Sequence, residues 1–192
     1  MLDPHQLGFQ IIEDWLASCY KYHGGNCDSF WTEELLEIKL VDVETRKIVQ
    51  APIKRFDYLA LSYVWGGVRP KSYQVGSQLE PGELSQTIKD AMKMTKDLQQ
   101  RYLWVDALCI DQADNKDKAQ QIERMGNIYR GATFTIVALS GTSANSGLPR
   151  LNGHGKMHPQ ISCHVEGQRL VGLMPTLSQQ IWRSSWGTRA WT

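Results

Sequence analysis

Hydrophobic positions follow two periods along this chain, and the change from one to the other marks its elements. Phe9, Ile12, Leu16, Cys19, Tyr20 and His23 recur at three- and four-residue steps, the spacing of one helix face, and Gly24-Gly25 supplies a stop. Residues 35–41 then read as a strand. A turn over residues 44–47 leads into Ile48-Val49, so a hairpin is expected, with Pro52 closing its second strand. Residues 58–65 are nearly all apolar and end at Gly66-Gly67; such a run suits a strand buried on both faces. Thr87 and Asp90 have capping-box spacing at the start of a helical stripe of Ile88, Ala91, Met92, Thr95 and Leu98. Residues 102–110 predict a second buried strand. Asp114 is placed to cap a helix striped by Ala119, Ile122, Met125 and Tyr129 and closed by Gly131. Residues 133–139 predict a third strand, ended by Ser140-Gly141.

Strand, helix, strand, helix, strand argues for an α/β fold, with a central, mainly parallel sheet flanked by helices. Beyond Gly147 the pattern changes. Residues 161–165 and 170–173, joined through Glu166-Gly167-Gln168, predict an antiparallel hairpin added to that sheet. No repeat, low-complexity tract or linker divides the 192 residues, so one domain is expected. Within it, residues 1–50 form an N-terminal helix and hairpin extension, 56–150 the α/β core, and 151–192 a hairpin and Trp-rich end.

Composition narrows the function classes. Lys and Arg total 21 against 20 Asp and Glu, a net charge of +1, so the clustered basic excess of a nucleic-acid binder is absent. No apolar run approaches the roughly 18 residues that span a bilayer. No basic segment precedes an apolar one at the N-terminus, and four Cys are too few for a disulfide scaffold. A cytoplasmic protein without a membrane span is expected. Seven Trp against four Phe exceed what a core of this size requires, which hints at special sites.

The familiar nucleotide, zinc-protease and hydrolase motifs are missing, so the candidates are the ends of the buried strands, where open α/β sheets place their ligands. Ser62 and Tyr63 offer hydroxyls, Trp65 a flat face for a ring, and Gly66 a close backbone approach; equally, these residues serve a turn and its packing. Strand alternation over residues 102–110 puts Trp104, Asp106 and Leu108 on one face. A carboxylate in an apolar strand is costly unless paired, so Asp106 needs an Arg, a helix N-terminus or a ligand hydroxyl. Asp111 and Gln112 follow it. Cys109 is a candidate nucleophile, although a small buried hydrophobe is the better fit. Cys19, His23 and Cys27 have a spacing that one helix face would bring to a zinc ion, or they pack in a core. Near the end, Arg189 and Trp191 suit a stacked ligand clamp or a docking segment.

Three segments together resemble the signature blocks of the fungal heterokaryon incompatibility (HET) domain: residues 58–66, residues 101–112 and the terminal Arg189-Ala190-Trp191-Thr192. The stretches around Ser85 to Ala91 and Met125 to Gly147 fit the pattern between those blocks, and Trp15, Cys19, His23 and Cys27 resemble the region before them. The resemblance implies a protein of fungal nonself recognition that signals programmed cell death through self-association or contact with another incompatibility protein. It also implies a fold similar to the Toll/interleukin-receptor (TIR) domain. Because some TIR domains cleave NAD, the alternative is an NAD glycohydrolase-like enzyme, with Trp65 and Trp104 framing a nucleotide and Asp106 holding a ribose hydroxyl. The family's last block usually runs on into Gln-Glu, and this chain stops at Thr192, which implies an inactive form if that Glu is catalytic. A third reading is a regulatory or biosynthesis-associated relative without killing function.

Overall fold

The computed structural model describes residues 8–23, 31–68, 71–149, 151 and 161–188. Its elements are α1 (Phe9–His23), β1 (Lys39–Asp42), β2 (Lys47–Gln50), β3 (Leu59–Ser62), α2 (Gln86–Asp97), β4 (Tyr102–Val105), α3 (Asp106–Cys109), α4 (Asn115–Gly131), β5 (Phe134–Val137), β6 (Ser162–Val165), β7 (Gln168–Val171) and α5 (Leu177–Arg183).

Five strands make one sheet in the order β2-β1-β4-β3-β5. β3 lies between β4 and β5 and runs parallel to both, as a strand with no polar face must, and Leu59, Ala60 and Leu61 are fully buried. The expectation of a mainly parallel sheet needs correcting. β1 pairs antiparallel with both β2 and β4, so the sheet is mixed, and the N-terminal hairpin is part of it. The first strand also starts later than expected, because residues 33–37 wind into a 3-10 turn that buries Leu35. The hairpin β6–β7 forms as expected but as a separate two-stranded sheet, with all eight strand residues exposed.

Asp42 fixes the join between hairpin and core. Only 2% exposed, its carboxylate accepts the N–H groups of Glu44 and Thr45 at 3.0 and 3.1 Å, which shapes the β1–β2 turn. The Arg101 guanidinium, at the entry to β4, donates to its other oxygen at 2.8 and 3.1 Å. Burial opposes ionisation of this carboxyl, but Arg101 and the two N–H groups outweigh it and hold the pKa below the ordinary value. A carboxyl with a depressed folded pKa adds stability above its unfolded pKa and loses it as the pH falls through the folded one. Asp42→Asn should therefore cost about 1–2 kcal/mol at neutral pH, a discounted figure because Arg101 is half exposed. The gap to the parent should close below about pH 4 in urea titrations. A gap that stays constant into acid would show that Arg101 does not act through the charge.

Two expected elements changed on folding. The second buried strand ends at Val105, not at residue 110. There Asp106 starts a helical turn, accepting the Ala107 N–H on its side chain at 2.7 Å while its carbonyl accepts Ile110 N–H at 3.1 Å. The alternation assigned to residues 106–110 is therefore lost. α2 starts after Ser85, whose side chain makes no cap hydrogen bond, and Thr87 and Asp90 form no capping box. Thr87 and Asp90 turn instead to the loop after β5, accepting the N–H groups of Gly147 at 3.1 Å and Leu148 at 2.8 Å. That use outcompetes the cap because those two N–H groups are buried and have to be satisfied. α4 begins as expected, with Asp114 accepting from Lys116 and Asp117 N–H at 2.8 and 3.3 Å.

Candidate functional site at the strand ends

The C-terminal ends of β3 and β4 bring together the residues that follow them. Trp65, in the loop after β3, donates its indole N–H to Asp106 at 3.2 Å. Asp106, 7% exposed, thus has the helix N-terminus and a ring N–H as partners, and its carbonyl accepts the Gln112 side chain at 3.3 Å. Asp111 gathers a second set: the hydroxyl of Ser72, the Gln74 amide at 2.9 Å and the Ala113 N–H at 3.0 Å. The Ser72 hydroxyl and the Ala113 N–H hold its carboxyl below the ordinary range. Ser62, the last residue of β3, accepts the Trp186 indole N–H at 2.8 Å from a position 124 residues downstream.

Gly66 ties this cluster to the loop after β5. Its φ is +63°, and a Cβ there would stand 2.5 Å from the Ser143 Cβ and 2.9 Å from the Thr142 carbonyl oxygen. The Ala144 N–H meets the Trp65 carbonyl at 3.2 Å in the same place. Because Thr87 and Asp90 hold residues 147 and 148, the β3 loop, the β5 loop and the start of α2 form one interlocked junction. A cavity of about 120 Å³ opens beside it, lined by Tyr63, Trp65, Lys71, Tyr73, Ser85 and Leu108 among others.

Of the expected site residues, Ser62, Tyr63, Trp65, Gly66, Asp106, Asp111 and Gln112 are thus collected at one end of the sheet. Trp104 is not. It is fully buried in the core, edge-to-face with Tyr129 at 5.3 Å, and its indole N–H has no partner among the described residues. Cys109 is buried as well; burial pushes its thiol up to about 12, and its sulfur receives the Val105 N–H at 3.4 Å. At neutral pH it is a protonated thiol, which suits packing better than attack. Cys19 and His23 lie one turn apart on α1, while Cys27, Arg189 and Trp191 lie outside the described residues. Among the described residues no three His, Cys, Asp or Glu side chains stand together as a metal group. Sequence reasoning missed Ser72 and Gln74 at Asp111, the reach of Trp186 to Ser62, and the part of Thr87 and Asp90. Only the last pair carried a signal, as polar residues on the apolar stripe of α2.

A family model described as "Heterokaryon incompatibility protein (HET)" matches residues 58–192, which contain every residue of this junction. A Neurospora crassa protein named "Heterokaryon incompatibility protein 6, OR allele" is 32% identical over 95 residues, a match that covers 43% of this chain. That match spans 14% of the relative's own length. No solved structure matches the chain. No helix among the described residues is long and apolar enough to cross a membrane.

Proposed function

Since the chain belongs to the heterokaryon incompatibility family, we propose that it works in fungal nonself recognition, relaying a signal for programmed cell death by contact with a second copy or with another incompatibility protein. The observation that carries this reading is the family match over residues 58–192. The junction geometry supports it. Trp65 donates to Asp106 and Trp186 to Ser62, and such paired polar groups suit a rigid platform for protein contact. Asp106 acts as a positioning residue that fixes the Trp65 ring and opens α3, and Gly66 holds the β3 loop against the β5 loop.

Inducible expression in a filamentous fungal host tests this. Induced cells should lose viability, and Gly66→Ala, which breaks the junction, should relieve the loss at matched transcript level. Full survival of cells that accumulate the folded parent chain would sink the cell-death reading and leave a regulatory relative in its place.

A further inference from the structure

Among the described residues, two surfaces outside the junction are left open. The first is the outer edge of β5, which pairs only with β3 among the described residues. Edge strands are usually blunted with charge, Pro or a bulge. Here residues 131–149 carry no charged side chain, β5 is Phe-Thr-Ile-Val, and Val137 is 41% exposed. A groove of about 420 Å³ runs along this edge, walled on the far side by Ile12, Trp15 and Leu16 of α1. Trp15 stays 66% exposed there.

The second is the hairpin β6–β7. A lone two-stranded hairpin is marginal in water, yet this one carries exposed Val165, Leu170 and Val171 and runs into a 99% exposed Leu173. The stretch 170–182 is again free of charge.

We infer that the open edge of β5 is completed as a sixth strand by β7 (Gln-Arg-Leu-Val) of a second copy of this chain, with Leu170 of the incoming strand entering the groove beneath α1 and Arg169 on its opposite face. A bare edge needs a backbone, so a small apolar molecule would leave its N–H and C=O groups unsatisfied. A peptide with charge on its inward face would find no countercharge along 131–149, whereas strand alternation sets Arg169 of β7 on the face opposite Leu170. Symmetric pairing of β5 with β5 would leave both hairpins exposed. Pairing of β7 with β5 satisfies both surfaces at once. It is a head-to-tail contact, so each copy still offers one edge and one hairpin, and the assembly grows beyond a dimer.

This inference rests on the contact reading above, and it fails separately from it. The test is sedimentation of the purified chain over a concentration series, with Val137→Lys on the edge and Leu170→Lys on the hairpin. Both positions are partly exposed, and the fully exposed Leu173→Lys serves if Leu170→Lys disturbs the hairpin. The parent should form species larger than dimers that dissociate on dilution. Each variant alone should stay monomeric, while their equimolar mixture, holding one good edge and one good hairpin, should stop at a 1:1 dimer. A parent that stays monomeric at its highest soluble concentration overturns the inference, as does either variant assembling like the parent or a mixture that remains monomeric. A monomeric parent that still kills fungal cells would remove this pairing and leave the function proposed above standing.

Discussion

Gly66→Ala should destabilise the fold by about 2–5 kcal/mol, combining the cost of a left-handed backbone for a side chain with that of overpacking. The added methyl has nowhere to go. Its nearest neighbours are the Ser143 Cα and Cβ at 2.6 and 2.5 Å and a backbone carbonyl oxygen, none of them the free end of a flexible side chain. Gly67 is the internal control. Its φ is +83° but nothing lies within 4 Å of its Cβ position, so Gly67→Ala should cost only the conformational part, about 1–2 kcal/mol. Urea midpoints for the two variants read the difference directly. Equal midpoints would mean that residues 142–144 move aside freely and that the three loops are not interlocked.

Trp104→Ala should cost about 3–5 kcal/mol, the range for emptying a fully buried large aromatic site. The ring lies at the middle of the sheet, next to Tyr129 and with no solvent contact. Trp104→Phe separates the two parts of that loss. The indole N–H has no partner among the described residues, so phenylalanine forfeits volume and contacts but no hydrogen bond there. We expect Trp104→Phe to lose less than half of what Trp104→Ala loses, in the same urea series. A Phe variant as unstable as the Ala variant would show that the N–H is satisfied in solution, through a water in the core.

The difference between what the sequence revealed and what it hid has a physical basis. β3 was legible as a buried strand because its run is nearly all apolar, although it ends at Ser62 and not at residue 65, and α4 was legible because Asp114 is a cap with no competing task. The β1–β4 pairing was not legible, since an antiparallel neighbour can come from anywhere in the chain, and the contacts that fix the match, Arg101 on Asp42 and Val43 N–H on the Arg101 carbonyl, leave no local signal. Asp106 shows how far pattern reading goes. Its need for a partner followed from burial alone, but alternation put it within a strand, whereas its own carboxylate opens a helical turn and so swings the following residues out of register. Trp104 and Trp65 look alike in sequence, each an aromatic near a strand end. One lies within β4 and faces the core; the other lies past the end of β3 and turns to Asp106. Contacts such as Trp186 on Ser62 bridge 124 residues and leave no local trace.

The function proposed above treats the junction as a scaffold for contact rather than a seat for a dinucleotide. Its cavity of about 120 Å³ falls below the roughly 300–1,000 Å³ of ligand pockets, and its carboxylates already have partners. Incubating the purified chain with NAD and following the nicotinamide proton signals by NMR puts this to the test. We expect the signals of intact NAD to persist unchanged in a preparation that is toxic when expressed in the fungus. Free nicotinamide accumulating with time, and ceasing to do so in Asp106→Ala with the fold intact, would contradict it and make the strand ends a catalytic site.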